Sequence, residues 1–211
     1  MTQLIISMIV GVVYSALAYI YLNKRYKEKK IIAISMVIPM LIIIAVINYL
    51  HAFHGSSDCI EAFEYMTMTA ICFPAAWVDA KEKLIPNTII LAGLVCRIVL
   101  YIVRFFISAG VLLEVAKNDL LALAVITVFC LLGRLLVKNG IGMGDIKLLL
   151  VLAVLGGFDR MFSMLFCAML VSFFWGLFEL IVRKKGKNAT IPFGPPIAIG
   201  TVLSVIMYAL V

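Results

Sequence analysis

KNGIGMGDIKLLLVLAVLGGF (138–158) is the stretch on which the fold turns. Gly140, Gly142 and Gly144 alternate ahead of a single aspartate, Asp145, and an apolar run opens at Leu148. A helix from Asp145 to Phe158 rises ~21 Å, whereas the hydrocarbon core of a bilayer is ~30 Å thick. Either that helix continues past Gly156-Gly157, or Asp145 is drawn below the membrane surface into a water-lined notch. Outward from this stretch, long apolar runs recur at roughly 4–22, 31–50, 60–78, 88–107, 120–137, 145–158, 161–182 and 191–210. Each is expected to be a helix, because lipid offers backbone polar groups no partner outside their own segment. The expected fold is an all-α polytopic membrane protein of about eight transmembrane helices.

Composition agrees with that reading. Of 211 residues, 65% are hydrophobic and only 14% are charged, and the mean hydropathy is +1.17. A soluble domain runs nearer half apolar and a quarter charged. Soluble, disordered and disulfide-rich secreted classes are thereby excluded. The net charge is +7, but its placement argues for cytoplasmic loops rather than a nucleic-acid surface. Fourteen of the 18 Lys and Arg residues fall in 24–30, 81–83, 134–147 and 183–187, which alternate between spans. The positive-inside rule places those loops in the cytoplasm, so both termini face outside. The five cysteines stand singly at 59, 72, 96, 130 and 167. Without a CxxC pair they support no zinc site, and no metal or other cofactor is expected. The first run lacks a basic n-region and a clear cleavage site, so it reads as a retained helix.

Two of the cytoplasmic loops each set one aspartate at a membrane edge. WVDAKEKLIPN (77–87) carries Asp79, and GMGDIKLL (142–149) carries Asp145. If the helices pack together, both carboxylates lie at the same depth on the same side. Two facing carboxylates do not both ionise cheaply; one keeps a proton. Such a pair can serve as general acid and general base on one water, with neither a metal nor a covalent intermediate. Taken alone, Asp79 also fits a solvated charge beside Lys81 or Lys83. Asp145 also fits an N-cap, though a cap accounts for one glycine more readily than for three.

DAKEKLIPN (79–87), GMGDIKLL (142–149) and TIPFGPPIAIG (190–200) together resemble the type IV prepilin peptidase family, a group of GxGD membrane aspartyl proteases. The resemblance covers about 60–211. It implies that Asp79 and Asp145 are the catalytic dyad, and that Gly142 and Gly144, with Lys147 beside them, form the active-site loop. Ile85, Pro86 and Asn87 match a tripeptide after the first aspartate, whose physical role is to start the next helix. Pro192, Phe193, Gly194, Pro195 and Pro196 would be a structural or substrate-contacting segment, or equally a helix-entry kink. The implied reaction is hydrolysis of the leader of prepilin or pilin-like proteins at the cytoplasmic face of a prokaryotic plasma membrane. The implied partners are that substrate and the lipid bilayer.

Larger members of the family carry a cytoplasmic domain with paired CxxC motifs after their first helix, associated with N-methylation. Here that position holds only KRYKEKK (24–30), so no N-methyltransferase activity is expected. The chain divides into two N-terminal helices (1–58) and a six-helix peptidase core (59–211). A presenilin or signal-peptide-peptidase type of protease shares GxGD but sets its first aspartate within a helix. A proton-coupled transporter would show broken helices in repeated halves, which the sequence lacks. Arg97 sits mid-span, and an intramembrane charge calls for a partner; Glu64 is the candidate, with snorkelling to the interface as the alternative.

Overall fold

The computed structural model describes residues 2–54, 59–136, 142–181 and 192–210. Among these residues the structure is all helix: α1 (Thr2–Tyr26), α2 (Lys29–Ile32), α3 (Ile38–His54), α4 (Cys59–Glu82), α5 (Asn87–Leu136), α6 (Met143–Ile181) and α7 (Gly194–Ala209). A π-helical turn, Ala33–Val37, joins α2 to α3. Four stretches are long and apolar enough to cross a membrane by length and composition: Ile6–Tyr26, Lys29–Leu50, Asn87–Leu136 and Met143–Ile181. The expected run 88–107 falls within α5 and 145–158 within α6, and the described parts of 120–137 and 161–182 belong to the same two helices, up to Leu136 and Ile181.

Both long helices fold back on themselves. In α5 the backbone breaks at Ser108, with φ −152° and ψ 71°. Arg97 and Asp119, equidistant in sequence from Ser108, form an ion pair across the break. Twenty-two residues of straight helix would hold them ~33 Å apart. In α6 the break is Gly157, at φ 69° and ψ −176°. A Cβ there would collide with Asn118 Nδ2, so both conformation and space select glycine. α7 reports the direction of the second α6 arm. Ser204 Oγ donates to the Arg160 carbonyl at 3.1 Å, Gly200 abuts Met164 and Ala168, and Gly194 meets Asp79. The arm after Gly157 therefore returns toward Asp79. The first arm is left about 14 residues long, or ~21 Å, which resolves the choice posed by its sequence: the helix does not run on past Gly156-Gly157.

That first α6 arm is the centre of the protein. Leu148, Leu149, Leu152, Ala153 and Leu155 are all essentially inaccessible. They pack in one core with Met68, Ile71 and Cys72 of α4 and Ile197 and Val205 of α7. Outward-facing residues are also apolar: Phe106, Leu135 and Leu136 are 80%, 81% and 83% exposed. Apolar surface on this scale suits lipid and not water.

The end of the bundle away from Asp79 holds a buried ionic network. Arg97 pairs with Glu64 at 2.6 Å and with Asp119. Arg160 reaches Glu64 at 3.1 Å and also Glu61. Arg104 approaches Glu64 at 3.4 Å, and Tyr101 donates to Asp119. The pairing of Arg97 with Glu64 is the one expected, and Arg97 does not snorkel. Tyr101, Arg104, Asp119 and Arg160 join it only because the Ser108 and Gly157 reversals bring α4, α5 and α6 together there. Glu61, Glu64, Arg97, Arg104, Asp119 and Arg160 line a cavity of about 300 Å³.

Candidate active site

Asp79 lies in the last turn of α4, whose end is fixed by its own chemistry. Lys83 takes a left-handed conformation, φ 53°, and its N–H closes on the Asp79 carbonyl at 2.8 Å. Ile85 then precedes Pro86, where proline excludes helix from the residue before it, and α5 starts at Asn87. The 83–86 connector is therefore short and stiff.

Two segments converge on this connector and the Asp79 turn before it. From α6, Gly144 lies so close that a Cβ would sit 3.1 Å from Ile85 Cβ and 3.3 Å from its backbone nitrogen. Lys147 Nζ donates to Asn87 Oδ1 at 3.0 Å, a second tie between the two motifs. From α7, the Gly194 N–H donates to Asp79 Oδ2 at 2.7 Å. A Cβ at Gly194 would meet the Asp79 Cβ and Oδ2 at 2.8 Å, so only glycine allows this approach. The bond is a helix N-terminus presented to a carboxylate, an arrangement that favours negative charge.

Asp79 and Asp145 are close enough for the charge of one to act on the other. Asp79 is 4% exposed. Burial pushes its carboxyl above the ordinary carboxylate range, and the Gly194 N–H opposes that shift. Asp145 is half-buried. The backbone of Gly142 hydrogen-bonds its carboxyl, and a Cβ at Gly142 would lie 2.9 Å from Asp145 Oδ2. Asp145 Oδ1 is buried and meets no hydrogen-bond partner among the described residues. Of the two lysines offered as neighbours for Asp79, Lys81 pairs with Glu28 instead.

Of the residues singled out in the sequence, Asp79, Pro86, Asn87, Gly142, Gly144, Asp145, Lys147 and Gly194 thus gather at one end of the bundle. Phe193 precedes α7 and packs on the core, half-buried. Pro195 occupies the first turn of α7, where a missing N–H costs nothing. Pro192 is half-buried just ahead of it. Gly140 lies outside the described residues. Sequence reasoning missed the direct Gly194–Asp79 bond. The glycine between Phe193 and Pro195 was its only trace, since contact across 115 positions is set by tertiary packing. Among the described residues no group of three or more His, Cys, Asp or Glu side chains converges as a metal site.

An all-α membrane-type fold with two aspartates brought together at helix ends defines the class. The model of the Type IV leader peptidase family matches residues 66–177, a span that includes both aspartates, and the chain belongs to that family. It is 30% identical over 159 residues to a prepilin leader peptidase/N-methyltransferase of Pseudomonas putida, covering 72% of this chain and 52% of the relative. It is 25% identical over 147 residues to the protein of that name in Bacillus subtilis (strain 168), covering 69% and 56%. A Pseudomonas aeruginosa relative of the same name is 31% identical over 122 residues, covering 58% and 41%. The chain spans about half the length of the curated relatives it matches. No solved structure matches it.

Proposed function

We propose that this chain is a membrane aspartyl endopeptidase that removes the leader from prepilin-like substrates at the cytoplasmic face of a prokaryotic plasma membrane. The observation that carries the reading is the convergence of Asp79, Asp145 and Gly194 where α4, α6 and α7 meet. Family membership and the names of the relatives support the substrate class.

In the proposed reaction the two carboxyls share one proton. The ionised carboxylate removes a proton from water as the water oxygen bonds to the scissile carbonyl carbon. The protonated carboxyl gives its proton to the carbonyl oxygen. As the tetrahedral adduct collapses, the C–N bond breaks and a carboxyl proton passes to the leaving amine, while the other carboxylate takes a proton from an adduct hydroxyl as the C=O bond reforms, so the pair again holds one proton. Gly194 N–H holds Asp79 in place, while Gly142 and Gly144 let Asp145 approach. Residues 59–211 form the peptidase core, and 1–58 the two N-terminal helices. The loop 24–30 carries no CxxC pair, so no N-methyltransferase activity is proposed. Incubation with cleaved pilin and labelled S-adenosylmethionine leaves the pilin unlabelled on this reading; label on its new N-terminus contradicts it.

The test of the peptidase reading is cleavage of a prepilin with a Gly-ended leader in liposomes. Wild type cleaves, and Asp79→Asn and Asp145→Asn fold but do not. Cleavage surviving either substitution removes the mechanism.

A further inference from the structure

The residues on either side of Asp79 are all held by the N-terminal segment. Trp77 Nε1 donates to Ser35 Oγ at 2.9 Å. Arg25 bonds Glu82 through Nε at 3.2 Å and Nη2 at 2.5 Å. Tyr26 donates its hydroxyl to the same carboxylate, and Glu28 pairs with Lys81. Beyond the connector, the Tyr21 and Thr88 hydroxyls share a hydrogen bond at 2.8 Å. The Tyr26 ring stands edge-on to Trp77 with centroids 4.8 Å apart. Lys81 Nζ lies 4.2 Å from the Trp77 ring centre and 5.2 Å from that of Tyr26.

Trp77 and Lys81 are two residues before and after Asp79, which places each about 160° around the helix axis from it. The N-terminal segment therefore holds the back of the α4 end at Trp77 and Lys81 and its last turn at Glu82, while Asp79 faces Gly194. The ion pairs alone are weak: Arg25, Glu82, Lys81 and Glu28 are 33–40% exposed, and such pairs contribute little. Tyr26 joins them to the aromatic contacts, touching Glu82, Trp77 and Lys81 at once. The π-helical turn, a distortion that re-aims side chains, carries Ser35, the acceptor for Trp77.

We infer that the 21–35 segment is a positioning clamp for Asp79, with Tyr26 as its hub: it fixes the rotation and end of α4 so that the Asp79 carboxylate meets Asp145. The role is one of positioning, since none of these side chains reaches the reacting atoms, and it rests on the reading of Asp79 as half of a dyad.

Two readouts test it, one independent of peptidase activity. In the first, Asp79→Cys and Asp145→Cys are introduced together, and the rate of 79–145 disulfide formation is followed in liposomes by peptide mass analysis. Adding Tyr26→Ala is expected to slow cross-linking on the order of tenfold, and adding Tyr26→Phe, which keeps the ring contacts, by much less. An unchanged rate with Tyr26→Ala overturns the clamp, whatever the chain cleaves. In the second, with both aspartates intact, Tyr26→Ala is expected to lower kcat on the order of tenfold at unchanged KM, because small misplacement of a catalytic group acts on the chemical step. Trp77→Phe, which loses the bond to Ser35 and keeps a smaller ring beside Tyr26 and Lys81, serves as a milder second variant with a smaller fall in kcat. A role in stability alone lowers the unfolding midpoint and leaves kcat per folded molecule and the cross-linking rate unchanged, and that result also overturns the inference.

Discussion

Replacing Arg97 by alanine tests the packing of the whole bundle. Arg97 is 3% exposed and sits between Glu64 and Asp119, which are 4% and 3% exposed. Its removal leaves two buried carboxylates to share fewer cations. Breaking a buried pair from one side costs about 3–5 kcal/mol, because the surviving charge is uncompensated. Glu64 keeps Arg160 at 3.1 Å and Arg104 at 3.4 Å, and Asp119 keeps the Tyr101 hydroxyl. The expected loss is therefore near the lower end, about 3 kcal/mol. Arg25→Ala, which breaks a pair 33–36% exposed, is expected to cost at most about 1 kcal/mol. The assay is reversible unfolding in mixed micelles by denaturing detergent, run on Arg97→Ala, Glu64→Ala and the double variant. The double variant removes one charge of each sign, so its loss falls short of the sum of the singles by about 1 kcal/mol or more. Additive losses refute the network as a coupled unit, and an Arg97→Ala loss below that of Arg25→Ala refutes its burial.

Four further outcomes follow from the geometry. Gly194→Ala pushes a methyl group to 2.8 Å from the Asp79 carboxylate and is expected to lower cleavage on the order of a hundredfold with the helix content unchanged by circular dichroism. Gly157→Ala meets both a positive φ and Asn118; it is expected to cost at least about 1–3 kcal/mol in the same unfolding assay. Burial raises the Asp79 carboxyl above its ordinary range, with the Asp145 carboxyl facing it from α6 and the Gly194 N–H from α7. A raised folded value means that Asp79 contributes most to stability below the ordinary carboxylate range, and that this contribution is lost as pH rises through the folded value. Asp79→Asn is accordingly expected to unfold later than wild type at neutral pH, with the gap closing as pH falls, and the pH–rate curve of wild type to be bell-shaped with its alkaline limb above the ordinary carboxylate range.

How far the sequence speaks depends on the range of each interaction. The helical character of every long run was legible because burial in lipid dictates it locally, and Gly156-Gly157 marked the α6 reversal. The α5 reversal was legible too, as the gap between the expected runs 88–107 and 120–137, and the break at Ser108 falls at its start; what did not show in the sequence is that Arg97 meets Asp119 across it. Asp79 and Asp145 stood out because charges at the edges of apolar runs are rare. The clamp around Trp77 and Lys81 was invisible for the opposite reason: a basic, aromatic loop beside a membrane reads as a solvated interface, and only packing of α1 and α2 on α4 turns it into specific contacts.

The claim at the centre is that Asp79 and Asp145 act as one unit on one water. Rates of prepilin cleavage for wild type, Asp79→Asn, Asp145→Asn and the double variant decide it. A shared-proton pair predicts that each single variant is as inactive as the double, because residues that act as a unit are grossly non-additive. Single losses that multiply in the double variant, or a single variant that retains substantial cleavage, contradict it.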